Sequence, residues 1–156
     1  MPSKQPPWGC EVARYLVVAH QTAGSPELRE QVLALTREDP VAEFTVLVPA
    51  TPPSNLLVWE EGEAKEIARQ RAEESQRSLK QAGLKVDAAR VGDHEPLQAI
   101  GDELEAHRGY KAIVISTFPA GVSRWLKMDL VSRARRSFPR LRIIHVVSEP
   151  EKGSSA

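Results

Sequence analysis

Two short segments hold most of the side chains that could do chemistry. The first is Ala19-His20-Gln21-Thr22. The second is Ser116-Thr117, followed shortly by Gly121, Ser123 and Arg124. His20 has two readings. As an imidazole titrating near ~6.5 it suits acid–base work or contact with a purine, and at a strand end it also serves as a hydrogen-bonded loop side chain. Ser116 and Thr117 read equally as hydroxyls that position a ligand or as turn and cap hydroxyls. Arg124 is the candidate anion contact, because a guanidinium forks onto phosphate oxygens, with an ordinary surface arginine as the other reading. The amides of Gly121 to Ser123 would add donors ahead of a helix, and Val48 would line the nucleoside half of the same cleft.

Other chemistries find less support. A Ser116–His20–Asp129 triad can be drawn, but no G-x-S-x-G elbow surrounds Ser116. His20, His94, His107 and His145 are dispersed and lack the spacing of metal ligands. Cys10 is the one cysteine, which rules out an intramolecular disulfide and a cysteine-rich zinc cluster. No paired carboxylates stand at a strand end. The sequence favours a non-enzymatic binder, with a slow nucleotide hydrolase as the enzymatic alternative.

These segments need a scaffold, and the hydrophobic pattern supplies one. YLVVA (15–19), EFTVLV (43–48), KVDAARV (85–91), the apolar run AIVI (112–115), which runs out at Ser116-Thr117, and LRIIHVV (141–147) are too short for helices and suit strands. Between them lie four helical patterns. The first opens on Ser25-Pro26-Glu27, which reads as cap, first helical residue and first-turn acid. The second spans Glu60 to Gln81, with a thin stripe of Ala64, Ile67, Ala68, Ala72, Ser75 and Leu79. The third follows Asp93 and Glu95, read as cap and first-turn acid. The fourth starts at Leu130 with Asp129 as its side-chain cap. Strict alternation predicts a three-layer α/β/α open sandwich with a five-stranded parallel sheet in the order 3-2-1-4-5. That order brings the two chemical segments together at the switch point.

Composition sets the outer limits. At 156 residues, with 41% apolar and 27% charged residues, the chain reads as one domain. Residues 1–11 are expected to be a flexible lead-in, 12–148 the domain and 149–156 a disordered tail. The N-terminus lacks a signal-peptide core and no apolar run reaches membrane-helix length, so cytoplasm is the expected location. Lysine plus arginine and aspartate plus glutamate both number 21, which gives no global field for nucleic acid or membrane. Locally, seven basic residues face one acid between Arg124 and Arg142. The loop after Pro49 carries Leu56, Leu57, Val58 and Trp59, expected to cover an edge, a pocket or a partner. Trp125 is expected as a partly buried lid or dimer contact, and His145 as a satisfied core or interface histidine.

The strand VVAHQT, the segment VGDHEPLQAI and the strand IVIST resemble the universal stress protein family over about residues 12–148. The resemblance implies a Rossmann-like fold and a site between the first and fourth strand ends. Many members bind ATP through a glycine-rich stretch after strand four. Laid on this chain without gaps, its glycines fall on Ser116 and Pro119 and its last pair on Asp129 and Leu130, so the phosphate loop is degenerate. His20 stands where the family commonly has an acid. No cofactor is required, and the expected ligand is a weakly held adenine nucleotide or a small anion. The alternative is a regulatory or structural dimer with an empty site. The apolar last strand predicts a homodimer; no nucleic acid or membrane partner is expected, and a protein partner stays open.

Overall fold

The computed structural model describes residues 13–50, 61–119, 121 and 123–149. The expected lead-in, nearly all of the tail, and the loop with Leu56, Leu57, Val58 and Trp59 lie outside the described residues. The apolar runs form strands β1 (Arg14–Val18), β2 (Glu43–Pro49), β3 (Val86–Gly92), β4 (Tyr110–Thr117) and β5 (Arg142–Val147). They pair in parallel in the order β3-β2-β1-β4-β5, as the alternation predicts. The helices are α1 (Pro26–Glu38), α2 (Glu61–Gln81), α3 (Pro96–Ala106), α4 (Arg124–Lys127) and α5 (Leu130–Ser137).

The inner strands are apolar on both faces because both are covered. On one face Val17, Ala19, Val46 and Val48 pack against α1 and α2. On the other, Leu16, Val18, Leu47, Ile113 and Ile115 pack against α3, α4 and α5. Small residues at Ala64, Ala68 and Ala72 keep α2 close to the sheet, and α2 ends before Gly83 at φ 92°. Gly92 permits an equally close approach on the other face. A Cβ there would stand 2.7 Å from Ala99 Cβ and 3.0 Å from Leu47 Cδ1.

Helix starts follow the sequence with three corrections. Ser25 caps α1 as expected, its Oγ accepting the Leu28 N–H at 3.1 Å. At α3 the cap is Glu95, which accepts the Gln98 N–H at 3.0 Å, while Asp93 accepts the Glu95 N–H at 2.9 Å. The expected roles of these two acids therefore move along the chain. The sequence reading also lacked α4, a single turn before the basic helix. That turn displaces Asp129 from its expected role. Asp129 adopts a left-handed conformation, φ 58°, and makes no side-chain cap bond, because its backbone must turn the chain from α4 into α5.

Polar groups on the α3 side are paired. Arg14 Nη2 bonds Asp87 Oδ2 at 2.6 Å, and Asp87 also accepts from Thr45 Oγ1 at 2.6 Å. Glu103, almost fully buried, accepts from Arg90 Nη1 at 2.6 Å and from the Tyr110 hydroxyl at 2.7 Å. Burial, and then that carboxylate, push the Tyr110 phenol up to about 12. Among the described residues, no helix is long and apolar enough to cross a membrane.

Candidate functional site

The site is built where β1 and β4 end side by side, Val18 being paired with Ile115. Ala19 still belongs to the sheet, its N–H donating to the Leu47 carbonyl at 3.2 Å. The chain then folds back on itself. The Ala23 N–H donates to the His20 carbonyl at 3.1 Å and the Ser25 N–H to the Thr22 carbonyl at 3.0 Å. These turns leave Gln21 exposed, His20 half-buried and Thr22 buried. Thr22 is thereby aimed at β4.

Thr22 Oγ1 lies 2.6 Å from Ser116 Oγ. Ser116 Oγ lies 3.4 Å from Ser148 Oγ, and Ser148 Oγ 2.8 Å from Ser25 Oγ, the α1 cap. Four hydroxyls from the ends of β1, β4 and β5 and the start of α1 thus form one chain. Thr22, Ser116 and Ser148 are all at most 4% exposed. The backbone supports the arrangement, since the Ser148 N–H donates to the Thr117 carbonyl at 2.8 Å.

Thr117 turns to β5 instead. Its hydroxyl donates to the Phe118 carbonyl at 2.8 Å, so His145 Nε2, 2.8 Å from the same oxygen, must be the donor of that pair. With the hydroxyl proton on the Phe118 carbonyl, the matching ring form is the Nε2–H tautomer. Burial first, and Arg135 second, hold His145 below the usual histidine range. His145 is therefore a satisfied histidine, as its place in an apolar strand predicts.

The loop after β4 is equally committed. Gly121 is exposed at φ 93°. Ser123 is buried, donates its N–H to the Pro119 carbonyl at 3.0 Å, and caps α4 by accepting the Leu126 N–H at 3.1 Å. Trp125 corrects an expectation. It is not a lid but a core residue, 6% exposed in the layer beneath α3 and α5. Val48 is fully buried in the layer beneath α1 and α2. The side chain of Arg124 lies outside the described residues.

The structure thus brings Thr22 and Ser116 into contact and sets Thr117 beside them. It uses Ser123 as a cap and encloses Ala19 and Val48 in the core. The partners the sequence reading missed are Ser25, Ser148 and His145. Ser25 was legible only as a cap, and nothing local marks Ser148, which meets it from 123 residues away. The positive end of α1 is also taken. Glu27 sits in its first turn, with Oε2 accepting the Glu149 N–H at 3.3 Å and Oε1 buried without a hydrogen-bond partner. Among the described residues no group of three acids, histidines or cysteines could hold a metal. An open groove of about 770 Å³ runs elsewhere, around the free edge of β3 between α2 and α3, and is lined by Arg90, Gly92, Glu103 and their neighbours.

No family model and no curated protein matches this sequence. Solved structures do match the fold. A universal stress protein from Archaeoglobus fulgidus superposes with a TM-score of 0.58 at 14% identity, covering 86% of this chain and 93% of its own. The chain has the universal stress protein fold. A family protein from Burkholderia pseudomallei gives a TM-score of 0.58 at 12% identity, over 87% of this chain and 96% of its own. Universal stress protein UspA from Lactobacillus plantarum gives 0.54 at 13% identity, over 88% and 99%. Within the universal stress protein fold, the chain of hydroxyls joins the ends of β1 and β4, the strands the resemblance points to.

Proposed function

We propose that this chain is a divergent universal stress protein acting without enzymatic chemistry, as a regulatory homodimer whose ligand cleft is closed by its own side chains. One observation carries the reading: the buried 2.6 Å bond between Thr22 and Ser116. The hydroxyls that a phosphate would need are already bonded to one another. A ligand entering between them must break these bonds first, so each hydroxyl contact it makes is offset by a buried hydrogen bond it destroys, about 0.5–1.5 kcal/mol apiece. That penalty takes a micromolar nucleotide site toward the millimolar range. Adenine nucleotides or small anions are therefore held weakly or not at all, and magnesium has little effect. The single cysteine fits a reducing, cytoplasmic setting.

The dimer is read from β5. Among the described residues this strand pairs with β4 alone, and along it Val147 is 44% exposed with Ile143 and Ile144 half-buried. A free apolar edge of this kind is normally covered, and a second copy supplies the matching strand.

Calorimetric titration with ATP, ADP and AMP, with and without magnesium, tests the closed cleft. Heats too small to fit at micromolar protein are expected. A sub-micromolar, magnesium-dependent dissociation constant for ATP would refute the reading. Light scattering tests the second half: twice the 17.3 kDa chain mass is expected, and a monomer would remove the dimer.

A further inference from the structure

The chain is neutral, with 21 basic and 21 acidic residues, but the fold does not spread that charge evenly. Six cations gather where β4 and β5 begin. Arg108 and Lys111 flank the entry to β4, Arg135 and Arg136 lie in the last turn of α5, and Arg140 and Arg142 lead into β5. All six are exposed. Register sets two of them on adjacent strands, since Arg142 pairs with Ala112, the residue after Lys111, across strands ~4.8 Å apart. The others lie on the segments that lead into these two strand starts. A tight turn joins α5 to β5, with the Leu141 N–H donating to the Phe138 carbonyl at 3.0 Å.

The segments that build this corner, residues 107–111 and 132–143, contain no acidic residue. Arg136 reaches Asp129 at a long 3.9 Å. Among the described residues the other five cations have no ion pair. Helix dipoles do not account for the excess. The C-termini of α3 and α5 each carry roughly half a negative charge, about one unit together against six. Nor is this an ordinary solvated face, which would mix both signs.

We infer that this corner docks the phosphate backbone of double-stranded DNA, by charge and without reading sequence. Five of the six cations are arginines, whose guanidinium forks match phosphate oxygens. The exposed large apolar residues of the described chain are Val41 and Val147, and neither belongs to the corner. It thus lacks the apolar wedge of a membrane-binding surface and the exposed aromatic platform of a single-strand binder. Its neutral side chains that could meet ribose hydroxyls, the contacts that recognise duplex RNA, are His107, Ser132 and Ser137 against six exposed cations, so charge dominates the surface. Net neutrality, which argued against nucleic acid in the sequence, averages this asymmetry away. The inference needs neither the dimer nor the closed cleft.

The test is fluorescence anisotropy with a labelled 20-base-pair duplex of arbitrary sequence. Roughly four phosphate contacts give a log–log salt slope near −3.6, so affinity should fall about 150-fold between 50 and 200 mM salt. The variant Arg140→Glu/Arg142→Glu should abolish binding, while Arg140→Lys/Arg142→Lys should keep it within a few-fold. Circular dichroism checks that each variant is folded, and Arg140→Gln/Arg142→Gln replaces the reversal if it is not. Three results overturn the inference: no saturable binding at 50 mM salt, binding unchanged by charge reversal or neutralisation, or tighter binding to phosphatidylserine vesicles than to the duplex.

Discussion

Removing both ends of the Thr22–Ser116 bond should cost less than the sum of removing each alone. In Ser116→Ala, Thr22 Oγ1 keeps no hydrogen-bond partner among the described residues while remaining 4% exposed. A buried hydroxyl in that state costs about 1–3 kcal/mol, and about 2 is taken here. Thr22→Val keeps the shape and leaves Ser116 its longer 3.4 Å contact with Ser148, so about 1 kcal/mol is expected. The double variant has no orphan on the Thr22 side and should cost only about 1 kcal/mol. The single costs sum to about 3 kcal/mol, which leaves a coupling of about 2. Urea unfolding resolves this. With m near ~2 kcal/mol/M, Ser116→Ala should lower the midpoint by about 1 M and the double variant by about half that. Costs that add to within ~0.5 kcal/mol would show that the two hydroxyls do not depend on each other, and the closed-cleft argument would fall with them.

Three further outcomes follow from packing, titration and backbone geometry. Gly92→Ala should destabilise by about 1–3 kcal/mol in urea unfolding, because the new methyl must push Ala99 and Leu47 away from the sheet; a neutral result would mean that α3 shifts freely. His145 is held below 6.5 by burial and then Arg135, so on acidification the unfolded chain takes up its proton first. Its contribution to stability is full above about pH 6.5 and is lost as pH falls through the depressed folded-state value. His145→Gln should therefore narrow the difference in urea midpoint between pH 8 and pH 5, and an unchanged difference would assign the acid sensitivity to other groups. Asp129→Gly should raise thermal stability by about 0.5–1 kcal/mol, since glycine takes φ 58° without a Cβ penalty; a loss would show that the long contact with Arg136 matters more.

Much of the fold was legible because its signals are local. YLVVA and IVIST are apolar on both faces, which marks central strands, and Ser25-Pro26-Glu27 announces a helix start. Strand order then follows from alternation and handedness. What escaped the sequence depends on distance or on a competing signal. Ser123 lies three residues before Leu126, the spacing of a helix cap, but Pro119 and Gly121 mark the same stretch as loop and Asp129 offers itself as the next cap. The short helix α4 was lost between them, and with it the burial of Trp125. The candidate site was legible as two strand ends rich in hydroxyls. That those hydroxyls would satisfy each other was not, because Ser25 and Ser148 meet only once β5 is in place beside β4.

The position of β1 in the middle of the sheet sets the order in which the chain can bury itself while it is being made. β1, β2 and β3 emerge first and can pair at once, with α1 and α2 covering one face. The other face, with Leu16, Val18 and Leu47, must wait for α3 and α5. β4 begins roughly 90 residues after β1 ends, and at about 5–20 residues per second that is a delay of several seconds. During that time half of a sound core stands open to water, and the N-terminal cap of α1 lacks the serine that completes it. Of the five strands, the one that closes the sheet is the last to be made. Misassociation is therefore favoured most during synthesis, when the first-made strands are covered on one face only.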